Sequence, residues 1–422
     1  MQPQRSTLHF AAASAAVLAL AGGAAAQNCY DSQHRCFTFG PPPEAGVGKV
    51  DTAGMLDLHS KRLHVEGDFR IRLRTGDTRN GNPYNGLADQ QASRGRVRLR
   101  FQATEKVQAF AEFNFSETWA GSESYSDALA GSNFNGVSQF YIDADDMFGF
   151  QDQWRVGRSE YILGNGLILG SCDYLQRPGT FTGAWFSRQI AGHDLELFMF
   201  DDYGPLQATH AGIRYAGGTG SINFGDCCGG ALEKIMPYFM AGTHDGNEVT
   251  SATNDTEDDQ WLGIDAKGTL PAEVKWNAEW ANRFVRRGED RMAWRATLTK
   301  QVALFDGVLD SVSVQHTDAD GKMDVGNPAD FNSAGLLHQY GGAWRSDMQT
   351  TQVGVRVMPG AEVAVDVNLL HLDRRGTTTQ QGEYEADLVV GRKFASGVYA
   401  SVGYGVDEDR RQVGFFQLTL NF

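Results

Sequence analysis

The chain has 422 residues, 41% of them hydrophobic, with 37 Lys and Arg against 52 Asp and Glu and a formal net charge of −15. That acidity argues against a nucleic-acid partner, whose phosphates need a basic face. After residue 26 no run approaches the ~18 apolar residues of a transmembrane helix, whereas a transmembrane barrel keeps this mean composition because only every second residue meets lipid.

The N-terminus reads as an export signal over 1–26. Arg5 supplies the positive charge, Ala11 to Leu20 the apolar stretch and Ala24-Ala25-Ala26 the small-residue cleavage site. Cys29 follows Gln27 and Asn28 rather than the alanines, which argues against a lipid anchor. Residues 27–62, with Pro41-Pro42-Pro43, read as a periplasmic lead-in, and 63–422 as one barrel domain. The five cysteines (Cys29, Cys36, Cys172, Cys227 and Cys228) are odd in number, so at least one is unpaired or bonds another chain. Cys29 and Cys36 suit a small disulfide loop in an oxidising compartment. No His or acid cluster with zinc spacing surrounds any of them, and no metal or cofactor is implied.

Period-2 segments then follow one another. In the first, Val65, Gly67, Phe69, Ile71 and Leu73 alternate with Glu66, Asp68, Arg70, Arg72 and Arg74. The second sets Val97, Leu99, Phe101 and Ala103 against Arg96, Arg98, Arg100 and Gln102; the third sets Ala109, Ala111, Phe113 and Phe115 against Gln108, Glu112 and Asn114. Further strands are expected from near residues 137, 153, 181, 194, 209, 233, 260, 273, 291, 308, 349, 362, 384, 397 and 412. The total is roughly 18, each near the ~9–11 residues that cross a bilayer when tilted.

Connections alternate in length, as short periplasmic turns and longer outer loops do. Residues 104–106, 270–272, 359–361 and 394–396 are short; 75–93, 117–136, 159–180, 243–258, 318–347 and 373–383 are long and polar. Two connections break the rule: 216–232 is long where a turn is expected, and 284–290 is short where a loop is expected. The last strand places Phe416, Leu418, Leu420 and Phe422 on one face, and a terminal aromatic on such a strand is the usual sorting mark of bacterial outer-membrane barrels. The expected fold is therefore an all-β, antiparallel up-and-down transmembrane barrel in the outer membrane.

If the apolar phase faces lipid, the other phase faces an aqueous bore. It carries Arg70, Arg72, Arg74, Arg96, Arg98 and Arg100, then Arg155, Arg214, Lys275, Arg283, Arg295 and Arg356. Guanidiniums are permanently charged and fork onto carboxylates, so a ring of them selects anions. Glu66, Asp68, Glu112, Asn277 and Glu279 share that phase, and arginine–acid pairs that merely fill the bore are the competing reading. Asp255, Glu257, Asp258, Asp259, Asp407, Glu408 and Asp409 are expected in solvated outer loops, where divalent cations could bridge them to lipopolysaccharide. His193, His210, His316 and His371 are scattered without a matching serine, so no hydrolytic activity is expected.

Residues 138–200 carry further motifs: Ser-Gln-Phe-Tyr-Ile-Asp (138–143), Trp-Arg-Val-Gly-Arg (154–158), Gly-Asn-Gly-Leu-Ile-Leu-Gly (164–170), Thr182-Gly183-Ala184-Trp185 and Asp194-Leu195-Glu196-Leu197-Phe198. With the opening arginine hairpin they resemble the alginate-export family of outer-membrane porins over about 63–200. Ser159-Glu160, Asn165, Cys172 and the Cys227-Cys228 pair depart from that family's pattern. The resemblance implies a monomeric barrel that passes an anionic uronate polymer, with Arg72, Arg74, Arg96, Arg98, Arg100 and Arg155 as carboxylate contacts and Arg158 at the rim. The expected function is a channel for an anionic polysaccharide or oligosaccharide, seated among outer-membrane lipid and lipopolysaccharide. The alternatives are a small-anion porin taking up organic or sugar acids, a closed structural or adhesive barrel, and an outer-membrane enzyme.

Overall fold

The structure, a computed structural model, describes residues 62–76, 90–121, 134–150, 152–170, 180–202, 213–225, 229–244, 259–285, 289–304, 309–320, 348–360, 362–374, 383–394 and 396–422. The export signal, the lead-in before Arg62, all five cysteines and most of the long loops lie outside these residues.

The strands in chain order are β1 (Leu63–Gly76), β2 (Gln90–Gln102), β3 (Val107–Gly121), β4 (Phe134–Asp145), β5 (Asp152–Ser159), β6 (Phe181–Ile190), β7 (His193–Asp202), β8 (Ile213–Asn223) and β9 (Lys234–His244). They continue as β10 (Gln260–Leu270), β11 (Val274–Phe284), β12 (Arg291–Leu304), β13 (Leu309–Asp320), β14 (Met348–Gly360), β15 (Val363–Arg374), β16 (Glu383–Lys393), β17 (Val398–Asp407) and β18 (Gln412–Asn421). Each pairs antiparallel with the next, and β1 pairs with β18, so the 18-stranded sheet closes on itself. Closure is what hydrocarbon demands, since an open edge would leave backbone N–H and C=O groups without partners. The seam is tied by Gly67 N–H to Phe422 O at 2.7 Å and Phe422 N–H to Gly67 O at 2.9 Å.

Alternation sorts the side chains. Phe69, Leu73, Phe101, Phe115, Val156, Leu197, Leu262, Leu369, Val402 and Leu420 lie exposed on the outer face. Arg70, Arg72, Arg74, Glu112, Arg295, Asp366 and Thr419 lie buried on the inner face. An exposed apolar belt of this extent has only lipid to contact. At one end of the belt Phe148, Trp154 and Phe186 form a chain of ring contacts at 5.7 and 4.9 Å, with the Arg188 guanidinium over Phe150 at 5.1 Å. These rings flank the short β4–β5 turn, where an interfacial aromatic girdle belongs. A bulge in β4 turns both Ser138 and Gln139 inward, and Ser138 Oγ donates to Glu112 Oε1 at 2.6 Å.

One of the two irregular connections has a physical cause. The first eight residues of the long 216–232 stretch are strand: β8 starts at Ile213 rather than near 209 and runs through Gly217-Gly218-Thr219-Gly220 to Asn223. Gly217 and Gly218 answer crowding, for a Cβ on Gly217 would sit 2.1 Å from Phe239 O and 2.7 Å from the Phe198 ring, and one on Gly218 would sit 2.9 Å from Glu196 O. The acids expected in solvated loops also divide. Asp259 is buried against Arg283, and Asp407 is buried against Arg411 at 2.5 Å, so neither is a loop charge. Asp255, Glu257 and Asp258 lie outside the described residues.

Gly67 tests the seam. A Cβ there would fall 2.5 Å from Arg96 O and 2.6 Å from the Phe422 ring that lies over it. Gly67→Val is expected to destabilise the closed barrel by about 1–3 kcal/mol through overpacking. Urea unfolding of the refolded protein in detergent, followed by heat-modifiable gel mobility, measures it; an unchanged midpoint would contradict the packing described.

Candidate functional site: an arginine wall facing a folded-in segment

The inner face of β1–β3 carries seven guanidiniums (Arg70, Arg72, Arg74, Arg94, Arg96, Arg98 and Arg100) against three carboxylates, Glu66, Asp68 and Glu112. Strict alternation on neighbouring strands brings them to one wall. Asp68 gathers three of them: Arg96 Nε at 2.7 Å, Arg98 Nη2 at 2.9 Å and Arg94 Nη2 at 3.4 Å. Glu112 holds Arg98 Nε at 2.7 Å, and Arg72 donates twice to Gln417 Oε1, at 2.9 and 2.8 Å. The carboxylates orient the guanidiniums without neutralising the wall. Arg94 is missing from the sequence reading because that reading starts the strand at Arg96, whereas β2 begins at Gln90.

On the opposite side the lumen is apolar. Phe181 and Trp185 of β6, Phe198 and Phe200 of β7, Tyr215 of β8, Tyr238 and Met240 of β9 and Trp261 of β10 all point inward and are buried. What buries them is the connection after β5. Residues 160–170, expected as a polar outer loop, fold into the barrel, and Leu163, Leu167, Ile168 and Leu169 are fully buried in the cluster. Tyr161 packs on Trp185, Phe198 and Phe200 with ring centroids 5.2–5.9 Å away, and its hydroxyl donates to Glu196. Burial, reinforced by the Glu196 carboxylate, pushes the Tyr161 hydroxyl well above its ordinary pKa, so it stays a donor.

The tip of the segment is pinned to β11 and β12. Glu279 accepts from Tyr238 Oη at 2.9 Å, from Leu167 N–H at 3.2 Å and from Arg295 Nη2 at 3.3 Å. Arg295 Nη2 also donates to Asn165 O at 2.6 Å, and Asn165 Nδ2 donates to Asn277 Oδ1. Gly164 and Gly166 have φ of +61° and +80°, and a Cβ on Gly164 would meet Glu279 Oε1 at 2.5 Å. Glycine is therefore required at the tip by both conformation and space. In this ring of 18 strands β11 lies nine strands from β2, so the pinned tip lies on the wall facing the arginines.

The remaining expected pore residues fall into three groups. Arg155 points inward, ion-paired to Asp143 at 2.8 Å with its side chain 38% exposed, and Arg100 and Lys275 are inward and exposed towards the periplasmic end. Arg283, Arg295 and Arg356 point inward but are nearly buried in pairs with Asp259 (2.6 Å), Glu279 (3.3 Å) and Asp366 (2.7 Å), and they brace the wall. Arg214 is a correction. It faces outward at the outer rim, exposed and paired with Asp201 at 3.0 Å. Its neighbour Tyr215 fills the internal cluster instead, which inverts the parity expected for β8. Arg158 also lies on the outward phase, opposite the exposed Phe140 and Thr182.

A closed 18-stranded barrel with a lipid-facing apolar belt, a charged inner face and an inward-folded connection has the architecture of an outer-membrane porin. No protein-family model matches the chain, and no curated protein matches it in sequence. The alginate-export resemblance thus gains no support from these comparisons beyond the barrel class. Solved structures do match. Pseudomonas aeruginosa OccK3 (OpdO) aligns with a TM-score of 0.60 at 13% identity over 85% of this chain and 95% of its own. A BenF-like porin from Pseudomonas fluorescens Pf-5 aligns at 0.61 and 12%, over 85% and 98%. Pseudomonas aeruginosa OccK2 (OpdF) in complex with glucuronate aligns at 0.57 and 13%, over 86% and 96%. The chain shares the 18-strand outer-membrane porin fold, and its place is the outer membrane.

The pinning contacts can be tested apart from the wall. Glu279→Ala leaves Arg295 buried without its carboxylate and is expected to cost about 3–5 kcal/mol. Gly164→Val is expected to free the tip with less damage to the wall. Single-channel recordings should show a larger and noisier open conductance for Gly164→Val; an unchanged conductance would mean that the segment does not restrict the bore.

Proposed function

We propose that the protein is a passive, anion-selective porin for small carboxylate-bearing solutes such as organic and sugar acids. The observation that carries this reading is the excess of guanidiniums over carboxylates on the inner face of β1–β3, seven against three. Fixed positive charge on a pore wall lowers the barrier for anions and raises it for cations. Guanidiniums held open by Asp68 and Glu112 supply forked donors that replace the hydration of a passing carboxylate. A chain of weak sites lets a solute leave as well as enter, and no catalytic step is needed.

The pinned segment favours small solutes, because it takes up room in the lumen that a polymer would need. The shared fold with a porin solved in complex with glucuronate adds support from a protein of the same architecture. A uronate polymer would present the same carboxylates, but its support is the sequence resemblance over 63–200 alone.

Reversal potentials in a KCl gradient test the reading. The protein in planar bilayers should prefer chloride, and Arg96→Ala with Arg98→Ala should reduce that preference. The preference should also fade as ionic strength nears 1 M, where the screening length falls to about 3 Å. Cation selectivity, or selectivity untouched by the double substitution, would contradict it.

A further inference from the structure

We infer that the outward face of β5–β8 carries a docking site for lipopolysaccharide of the outer leaflet, with Arg158 and Arg214 taking its lipid A phosphates. One cross-strand row holds the polar part. Arg158 stands opposite Thr182, Thr182 opposite Asp201 and Asp201 opposite Arg214. Each lies one residue in from the outer end of its strand. All four share the outward phase, because their sequence neighbours Ser159, Phe181, Phe200 and Tyr215 are buried inside the barrel. The two arginine-bearing strands are three strand spacings apart, roughly 14 Å. Among the described strand residues no other Lys or Arg takes the outward phase in the outer half of the wall; Arg188, Lys300 and Arg392 lie towards the periplasmic ends.

A cation on the lipid-facing phase is unfavourable away from the headgroups, so its placement needs a physical reason. Arg158 answers the constraint by reaching outward along the wall. It stands opposite Phe140, yet its Nη1 donates to Val137 O at 3.4 Å, nearer the outer end of β4, and its Nε donates to Thr182 Oγ1 at 3.4 Å. Both bonds are long and end on neutral acceptors, and a phosphate oxygen is the stronger acceptor for the same donors. Arg214 pairs with Asp201 at 3.0 Å, with side chains 51% and 56% exposed. An exposed pair of this kind is weak, and the guanidinium stays accessible to a second anion. Directly below, the next outward row is apolar: Val156, Ala184, Met199 and Ala216, again in register. Val156 and Met199 are exposed, and Ala184 is recessed between them, which gives an acyl chain a shelf beneath the guanidiniums. Phosphates at headgroup level above acyl chains match both rows, whereas a bare inorganic anion matches only the arginines. This face takes no part in the passage of solutes.

The test titrates the full-length protein in detergent with bisphosphoryl lipid A, monophosphoryl lipid A and phosphatidylglycerol, and reads bound lipid by native mass spectrometry. Bisphosphoryl lipid A is expected to bind about tenfold more tightly than the monophosphoryl form, as the loss of one charge-assisted contact implies, and more tightly than phosphatidylglycerol. Arg158→Gln and Arg214→Gln should each weaken that binding about tenfold. Arg158→Lys with Arg214→Lys should keep most of it, and heat-modifiable gel mobility reports whether each variant folds. Inorganic phosphate should not displace the lipid. In planar bilayers the chloride preference of Arg158→Gln with Arg214→Gln should match that of the unsubstituted protein. Equal binding of the three lipids, binding retained in the double glutamine variant, displacement by inorganic phosphate, or two protein copies associating through this face in place of lipid would overturn the inference. So would a changed chloride preference in the double glutamine variant, which would put these arginines in the bore.

Discussion

The bilayer leaves the backbone no choice. Every N–H and C=O that crosses hydrocarbon must pair within the wall, and a sheet can do this only by closing, as β1 does on β18. Closure in turn fixes side-chain parity, because residues along a strand alternate between lipid and lumen. Once Phe69 and Leu73 face acyl chains, Arg70, Arg72 and Arg74 have nowhere to go but the bore. The charge of the lumen is thus set by one half of each strand's sequence, which the formal net charge of −15 does not reveal.

Within that frame two stretches of the lumen wall are unlike. On β1–β5 the wall is lined by guanidiniums, their few carboxylates and the stacked rings of Phe110 and Tyr141. On β6–β10 it is an apolar cluster, and the connection after β5 enters the barrel because that cluster offers Leu163, Leu167, Ile168 and Leu169 a dry surface. Burial of four such side chains contributes roughly 1.5–3 kcal/mol each, enough to hold 160–170 inside in place of solvent. Glu279, Arg295 and Asn277 then fix its tip. Arginine consequently does two jobs here. Where a single acid faces each one, as at Arg283 and Arg356, it braces neighbouring strands; where arginines outnumber acids, as around Asp68, it sets the field.

Parity made most of the architecture legible in the sequence. The first three segments, the alternation of short and long connections and the final strand are all direct consequences of a lipid-facing phase. The same rule failed where its premise failed. On β8 the apolar phase faces an internal cluster, so Arg214 was assigned to the wrong side. Gly217-Gly218-Thr219-Gly220 looked like a loop because sequence alone cannot separate glycine chosen for space from glycine chosen for flexibility. The folded-in segment did leave a trace. Leu163 and Leu167-Ile168-Leu169 are too apolar for a connection exposed to water, and inward aromatics on successive strands give them a place to pack. The contacts of Asp68, Glu279 and the Phe110–Tyr141 stack could not be read in advance, because they depend on cross-strand register.

The central claim is that odd and even positions of β2 see different solvents. Single cysteines at Arg98, Leu99, Arg100 and Phe101, placed in protein whose own cysteines have been replaced, would be challenged with a water-soluble maleimide in proteoliposomes. The account predicts rapid modification at 98 and 100 and protection at 99 and 101. Protection at 98 and 100 with modification at 99 and 101, or a uniform response, would contradict it.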